Sequence, residues 1–138
     1  MNLKNLSDVT ILIVDDVSIM RKMLRQVLIE HCGITLNNIF EAIDGADAVL
    51  MYKQHRTDIV FLDIAMPDKD GKTVIEELKN IDPGVIIVMC TGSGNKRNVI
   101  ECIRTGAKDY IRKPINPDRV KEALNKVILD VFAKGLNV

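Results

Sequence analysis

Five short segments rich in apolar residues alternate with five segments of helical spacing, and this alternation limits the fold more than any other feature of the chain. The apolar segments are Val9 to Val14, Ile39 to Ala42, Ile59 to Asp63, Val85 to Cys90 and Asp109 to Arg112. The longest of them lack regular alternation of apolar and polar residues, which is typical of strands buried on both faces of a sheet. Such strands joined by helices predict a parallel sheet with helices on both sides.

The helical segments complete five β-α units in a chain of 138 residues. They run from Ser18, a candidate N-cap, to a stop at Gly33, from after the turn Asp44-Gly45 through Tyr52, from Thr73 to Lys79, from Asn95 to Arg104, and from Asn116 to about Lys134. The predicted fold class is α/β, a doubly wound five-stranded parallel sheet of the flavodoxin-like (βα)5 type in the order 2-1-3-4-5. We expect one domain over residues 1–138, with a core of about residues 9–132 and a short leader at residues 1–8.

The overall composition argues against several classes of function. Lys and Arg together number 19, and Asp and Glu together also number 19, so the formal net charge is 0 and neither nucleic-acid binding nor a polybasic membrane anchor is expected. No apolar run approaches the roughly 20 residues of a membrane span, and the N-terminus lacks a secretory signal pattern, so we expect a cytoplasmic protein without membrane contact. The three widely spaced cysteines predict buried thiols rather than a disulfide framework or a zinc site.

Acidic side chains stand where two neighbouring strands of the predicted sheet end. Asp15 and Asp16 follow the first strand, and Asp63 ends the third. Because ligands of open α/β sheets bind beyond the carboxyl ends of the strands, we expect the three carboxylates to converge there. At about 4 Å, each pair would repel by roughly 1 kcal/mol in water and about 4 kcal/mol at an effective dielectric constant near 20. A hard divalent cation relieves this repulsion, and an all-oxygen site open to water suits Mg²⁺.

A magnesium site of this kind points to phosphoryl transfer, because Mg²⁺ commonly binds one or two carboxylates together with water and phosphate oxygens. Asp63 is the candidate nucleophile, which would form an aspartyl phosphate. Thr91, at the end of the fourth strand, can donate a hydrogen bond to a phosphate oxygen, and Lys113, after the fifth strand, can pair with the phosphate or with a carboxylate. Taken singly, the acids also suit turns and helix caps, and Thr91 and Lys113 suit ordinary structural positions. Their joint placement favours a site.

The same residues carry a resemblance to a known family. The chain resembles the receiver domain of two-component response regulators over about residues 9–132. The matching motifs are Val14-Asp15-Asp16, Asp63 with Met66-Pro67 and Gly71, Thr91-Gly92, and Lys113-Pro114. The resemblance implies that Asp63 accepts a phosphoryl group from the phosphohistidine of a sensor histidine kinase. It also implies a Mg²⁺ site made of the three acidic side chains and the backbone carbonyl of Ala65, and a cis peptide bond between Lys113 and Pro114.

Within that family the chain is similar to the stand-alone, CheY-like receivers, because it ends at Val138 with no room for a second domain. This implies a role in chemotaxis or flagellar motor control, and no enzymatic activity beyond self-phosphorylation and slow self-dephosphorylation. The implied partners are a sensor histidine kinase, a phosphatase, and a downstream protein such as the flagellar motor switch. The downstream protein is expected on the face formed by the fourth helix, the fifth strand and the last helix. A phosphorelay intermediate and a regulator of a kinase or of cell polarity stay open as alternatives.

The resemblance also suggests a switch, in which Thr91 moves toward the phosphate and Tyr110 swings into the space that Thr91 leaves. The loop Gly92-Ser93-Gly94 is rich enough in glycine to permit this motion. Without the family match, Tyr110 would suit an ordinary aromatic of an edge strand. Two positions depart from the family pattern: Ala65 stands where CheY-like receivers commonly have Asn, and Ser93 where they commonly have Glu. Because both flank the phosphoryl group, the rate of dephosphorylation does not carry over.

Two other kinds of protein share parts of this pattern. A haloacid-dehalogenase-like phosphatase also uses an Asp nucleophile at a strand end, but it needs a second Asp two residues later, where this chain has Ala65. A flavodoxin-like electron carrier needs aromatic residues to stack on the flavin, whereas only 4% of these residues are aromatic and there is no Trp. Three acids at the phosphate end would also repel the flavin phosphate. The receiver remains the favoured interpretation.

Overall fold

The computed structural model describes residues 5–92 and 96–136, which form five strands and five helices in strict alternation. The elements are β1 Ile11–Val14, α1 Ser18–Cys32, β2 Ile39–Ala42, α2 Gly45–His55, β3 Ile59–Asp63, α3 Gly71–Ile81, β4 Ile87–Thr91, α4 Lys96–Thr105, β5 Asp109–Arg112 and α5 Pro117–Leu136. Two single-turn 3-10 helices, Leu6–Asp8 and Leu36–Asn38, precede β1 and β2. The predicted β-α alternation is therefore confirmed.

All strand pairs are parallel, and the strand order is β2-β1-β3-β4-β5, as predicted. The central strand β3 lies between β1 and β4, with Val14 opposite Leu62 and Asp63 opposite Cys90. This register brings the carboxyl ends of β1, β3 and β4 to the same edge of the sheet. The acids that follow β1 and end β3 are neighbours for that reason.

Both faces of the sheet are covered by apolar side chains, so all five residues of β3 are buried. Ile59 and Phe61 contact one apolar cluster, to which α1 and α5 contribute Leu28 and Leu124. Val60 and Leu62 belong to the opposite cluster, to which α2, α3 and α4 contribute Tyr52, Leu78 and Cys102. Successive strand residues point to opposite faces, so an uninterrupted apolar run is what a strand between two helical layers requires.

The starts of α1 and α3 differ from those predicted. Ser18 is the first residue of α1 rather than its N-cap, and Val17, in the N-cap position, makes no side-chain capping bond. The helix α3 starts at Gly71, two residues before the predicted Thr73, because the carboxylate of Asp70 accepts a hydrogen bond from the Thr73 N–H at 2.8 Å. Such an N-cap satisfies one of the free amides at a helix start.

Two strands are shorter than predicted at their amino ends. β1 begins at Ile11 rather than Val9, and β4 at Ile87 rather than Val85. Val9 and Val85 are nevertheless fully buried. The Val85 N–H donates to the carbonyl of Asp82 in a turn rather than to a neighbouring strand. Burial thus continues beyond the sheet, and apolar character alone overestimates the length of the hydrogen-bonded strand.

The second half of the predicted leader is bound to the body of the protein. The carbonyl of Ser7 accepts hydrogen bonds from Thr35 Oγ1 at 2.9 Å and from Asn38 Nδ2 at 2.8 Å. These bonds join residues 5–8 to the segment that leads into β2. Residues 1–4 of the predicted leader lie outside the described residues.

The loop that follows β3 is fastened to the first turn of α2. The carboxylate of Asp68 accepts hydrogen bonds from the N–H groups of Gly45 and Ala46 at 3.0 and 3.3 Å. At Gly71 an added Cβ would lie 2.5 Å from the side chain of Ile64, so only glycine permits this close approach. These contacts fix the position of Ile64, which directly follows Asp63.

The remaining predictions from composition concern thiols and membrane spans. Cys32, Cys90 and Cys102 are buried and unpaired in disulfides, as predicted. None of the helices in residues 5–92 and 96–136 is long and apolar enough to cross a bilayer.

Candidate functional site

Three carboxylates meet at the carboxyl edge of the sheet. One oxygen from each of Asp15, Asp16 and Asp63 lies within 4.8 Å of the other two. Asp15 and Asp63 are only 5% and 4% exposed, whereas Asp16 is open to solvent. The predicted convergence of these acids is confirmed. The arrangement gives a pair of buried acids with one exposed acid beside them.

Lys113, the first residue after β5, joins this cluster. Its ammonium lies 2.9 Å from Asp15 Oδ2 and 3.4 Å from Asp63 Oδ2. Its backbone N–H donates to the carbonyl of Thr91 at 2.7 Å, and the peptide bond between Lys113 and Pro114 is cis. The side chain therefore bridges both buried acids and offsets part of their mutual repulsion.

The carboxylate of Asp63 has both a buried and a polar environment. Burial raises its pKa, as does the nearby charge of Asp15, while the Ala65 N–H, which donates to Asp63 Oδ1 at 3.0 Å, and the ammonium of Lys113 act in the opposite direction. The net result is a raised pKa, because burial is the largest of these effects. For Lys113, burial lowers the pKa, but the hydrogen bond to Asp15 and the charge of Asp63 outweigh burial and raise it.

Asp15 is fixed by backbone and side-chain bonds together. Its N–H donates to the carbonyl of Ala42 at 3.1 Å, its Oδ1 accepts from the Val17 N–H at 2.9 Å, and its Oδ2 accepts from Lys113. The bond from the Val17 N–H ties the Asp15 carboxylate to the residue in the N-cap position of α1.

These residues fit a divalent cation. Carboxylate oxygens are the ligands that Mg²⁺ prefers, and a site that keeps some water is usual for this ion. The exposed Asp16 leaves one side of the cluster open, and the single ammonium of Lys113 does not balance the three carboxylates. Asp15, Asp16 and Asp63 are therefore the residues that would hold Mg²⁺. The predicted ligand role of the Ala65 carbonyl stays a prediction.

A cavity of about 600 Å³ lies between α4 and β5 and reaches Thr91, the last residue of β4. Its lining residues are Thr91, Val99, Ile100, Ile103, Arg104, Tyr110 and Arg112. Thr91 is 5% exposed and Tyr110 is 39% exposed. The two residues predicted to act as a switch thus line one cavity, with Tyr110 on its outer side. The guanidinium carbon of Arg119 lies 5.9 Å from the centre of the Tyr110 ring.

Arg21, Glu41 and Arg25 adjoin the site and were not singled out from the sequence. Arg21 in α1 donates to the carbonyl of Asp15 and to Glu41 in β2, and Arg25 donates to the same glutamate. A single sequence contains no signal for this arrangement, because arginines one turn apart on a helix usually face solvent. The pairing depends on how closely α1 lies against β2.

Comparison with known proteins identifies a family. A family model described as the response regulator receiver domain matches residues 11–125. The chain is 46% identical over 118 residues to the chemotaxis protein CheY of Bacillus subtilis, covering 86% of this chain and 96% of the relative. It is 46% identical over 117 residues to the chemotaxis protein CheY of Thermotoga maritima, covering 85% and 95%.

Solved structures give the same result. A receiver domain protein (CheY-like) from Methanospirillum hungatei JF-1 has a TM-score of 0.81 at 25% identity, covering 91% of this chain and 98% of the other. The CheX-CheY-BeF3-Mg+2 complex from Borrelia burgdorferi contains a chain with a TM-score of 0.78 at 35% identity, covering 88% of both. The comparisons favour the receiver over the phosphatase and the electron carrier. Of the two departures from the family pattern, Ala65 is exposed beside Asp63, whereas Ser93 lies outside the described residues.

Removing the charge of Asp63 is expected to stabilise the metal-free protein. At neutral pH the ionised form of Asp63 is disfavoured in the folded state, because burial and the charge of Asp15 raise its pKa. Asp63→Asn should therefore increase the free energy of unfolding by about 1 kcal/mol or more at neutral pH in EDTA, or roughly 3–6 °C in Tm. Urea unfolding followed by circular dichroism measures this difference.

The stabilisation by Asp63→Asn should depend on pH. The gain from Asp63→Asn should be largest above the raised folded-state pKa, and should disappear as the pH falls below 3.8, where the group is protonated in both states. Added Mg²⁺ should reduce the gain, because it should stabilise the wild type more than the variant, which lacks one of the three carboxylates. Asp130→Asn, which removes one exposed charge from α5, is the matched control and should change stability by less than about 0.5 kcal/mol. Equal stability of Asp63→Asn and wild type in EDTA at neutral pH would contradict the account.

Proposed function

This chain belongs to the receiver domain family of response regulators, and from that premise we propose that it is a phosphorylation-dependent switch whose acceptor is Asp63. The observation that carries the proposal is the meeting of Asp15, Asp16 and Asp63 at one sheet edge, with Lys113 within 3.4 Å of both buried acids. The proposed receiver domain spans about residues 9–132. Its turnover is limited to gaining and losing its own phosphoryl group.

In the proposed reaction a carboxylate oxygen of Asp63 attacks the phosphorus of a phosphohistidine on a sensor histidine kinase. A new P–O bond forms as the P–N bond breaks, and the imidazole leaves with the electron pair and takes up a proton. Asp15, Asp16, Asp63 and the Ala65 carbonyl would hold Mg²⁺, which supplies positive charge for the phosphate oxygens when bound. The ammonium of Lys113 lies 3.4 Å from Asp63 Oδ2, so it can pair with the carboxylate before the transfer and with a phosphate oxygen after it.

The phosphoryl group would bring a charge of about −1.5 to −2 and three acceptor oxygens to the end of β3. Thr91, at the end of β4, is the proposed donor to one of these oxygens. Its displacement would enlarge the cavity that it shares with Tyr110, and Tyr110 would move inward from its 39% exposed position. Moving a two-state equilibrium from 1:99 to 99:1 needs about 5.5 kcal/mol, to which charge-assisted hydrogen bonds to the phosphate contribute.

The proposed output is a change in binding to a downstream protein through the face of α4, β5 and α5. Relatives named chemotaxis protein CheY at 46% identity support a role in chemotaxis, with the flagellar motor switch as the candidate target. The Borrelia burgdorferi CheY in its complex with CheX, BeF3 and Mg²⁺ supports a second partner of the CheX type, for which a phosphatase role is proposed. Because histidine kinases use ATP, a cytoplasmic metabolite, the proposal places this protein in the cytoplasm.

The acceptor assignment is tested with the small phosphodonor acetyl phosphate. The wild-type protein should gain one phosphoryl group in the presence of Mg²⁺, as measured by intact mass, and should gain none in EDTA. Asp63→Asn should reduce labelling to background, because the amide is not a nucleophile. Hydroxylamine should remove the label from the wild type, since it cleaves acyl phosphates.

Asp130→Asn is the matched control for this experiment. Asp130 is an exposed acid of α5, and its substitution removes the same charge but should leave labelling close to the wild-type level. Labelling of Asp63→Asn to the same extent as wild type, or a hydroxylamine-resistant label, would refute the proposed acceptor.

The switch is tested with selectively ¹³C-labelled tyrosine, because the chain has only two tyrosines. Beryllofluoride with Mg²⁺, as a stand-in for the phosphoryl group, should shift the ring signals of Tyr110. Tyr52, which is 1% exposed and hydrogen-bonded to Asp82 at 2.9 Å, is an internal reference that should not shift. Thr91→Ala should bind beryllofluoride, as followed by ¹⁹F NMR, but lose most of the Tyr110 shift.

Thr91→Ser keeps the hydroxyl and should restore the shift of Tyr110. If Thr91→Ala shows the full Tyr110 shift at saturating beryllofluoride, Thr91 is not the link between the phosphorylation site and Tyr110.

A further inference from the structure

The guanidinium of Arg21 contacts the backbone of the acidic cluster at Asp15. Its Nη1 donates to the backbone carbonyl of Asp15 at 2.7 Å, and its Nε donates to Glu41 Oε1 at 3.0 Å. The Arg21 side chain is 15% exposed, compared with 29% for Arg25, which lies one turn further along α1. Arg21 thus joins three elements at one point: the end of β1, the strand β2 and the first turns of α1.

Glu41 holds Arg21 in place. It faces Ile13 in the parallel register of β1 and β2, so it lies beside the strand that ends at the acidic pair. Its second carboxylate oxygen accepts from Arg25. With one oxygen bound to each arginine, Glu41 limits the rotamers open to Arg21. Only Arg21 of the two arginines also contacts the acidic cluster.

The carbonyl that Arg21 binds belongs to the peptide that joins Asp15 to Asp16. Because a peptide unit is planar, the direction of this carbonyl fixes the orientation of the Asp16 N–H and Cα. Asp15 has further anchors, from Ala42 to its N–H and from Val17 and Lys113 to its carboxylate. Asp16 is exposed, so the orientation of its side chain depends more on the peptide that precedes it.

We propose that Arg21, held by Glu41, is a positioning residue for the metal site, because it fixes the Asp15-Asp16 peptide and so directs the Asp16 carboxylate toward Asp63. This inference rests on the proposed function, in which these acids hold Mg²⁺. Outer hydrogen bonds of this kind orient metal ligands in many proteins, and their loss typically costs 10–100-fold in affinity.

The charge of Arg21 and its positioning role predict opposite changes in Mg²⁺ affinity when Arg21 is removed. A cation next to a metal site repels the metal ion, so if Arg21 acted only through its charge, its removal would tighten Mg²⁺ binding. If it acts by directing Asp16, its removal weakens Mg²⁺ binding despite the loss of that repulsion. The direction of the change in affinity therefore separates the two effects.

Isothermal titration calorimetry with Mg²⁺ tests the proposal on the full chain. Arg21→Ala should raise the Kd for Mg²⁺ by about 10-fold, at the lower end of the range for such outer-shell changes. Arg25→Ala is the matched control, because it removes the same charge and the same kind of bond to Glu41 without touching Asp15, and it should change the Kd less than about twofold. Arg21→Lys keeps the charge but lacks the guanidinium that binds the Asp15 carbonyl and Glu41 through different nitrogens. Its Kd should lie between those of the wild type and Arg21→Ala.

A second measurement uses the metal-free protein and so does not depend on the site being loaded. In ¹H–¹⁵N spectra, Arg21→Ala should shift the Asp16 and Val17 amides more than Arg25→Ala does. If Arg21→Ala fails to fold, Glu41→Gln gives the same test, because it weakens the hold on Arg21 and should raise the Kd by a smaller factor.

Unchanged or tighter Mg²⁺ binding in the Arg21 variants, with normal binding in the wild type, would overturn this inference and leave the proposed function standing. Absence of Mg²⁺ binding in the wild type would overturn both.

Discussion

Mutual repulsion among three carboxylates at one edge of the sheet is the interaction around which the rest of the site is arranged. At about 4 Å, the repulsion between each pair of ionised carboxylates costs about 1 to 4 kcal/mol, depending on how much water screens it. Lys113 offsets part of the cost by bridging Asp15 and Asp63, and the exposed Asp16 keeps the site open to an ion from solvent. Binding of a divalent cation, alone or together with a phosphoryl group, would relieve the remaining repulsion between the carboxylates.

The sheet makes this crowding possible because its parallel strands end at one edge, and the surrounding loops keep the acids in place. Asp68 ties the loop after β3 to the amides that begin α2, and Gly71 lets α3 approach Ile64. On the other side, Arg21 and Glu41 link β1, β2 and α1. The acids therefore lie at or directly after strand ends, whereas the cavity shared by Thr91 and Tyr110 leaves space for movement beside α4 and β5.

Much of the fold and the convergence of the three acids could be predicted from the sequence because they depend on local patterns. Apolar runs that end on Asp15 and Asp63 gave the strand ends, and the β-α alternation gave the strand order. The start of α3 was missed because Asp70, not an apolar residue, determines it. The bond from Arg21 to the Asp15 carbonyl could not be predicted, since it depends on the packing of α1 against β2. The roles assigned to individual site residues rest on the family resemblance and on chemistry.

The most direct test of the central claim, that the three acids share one divalent ion, is an anomalous diffraction map from crystals grown with saturating Mn²⁺, which binds the same hard oxygen ligands as Mg²⁺. The account predicts one strong peak at the carboxyl edge of the sheet, within about 2.0–2.3 Å of an oxygen of Asp63 and of at least one of Asp15 and Asp16. A map with no peak at this edge, in which the acids pair only with Lys113, would contradict it.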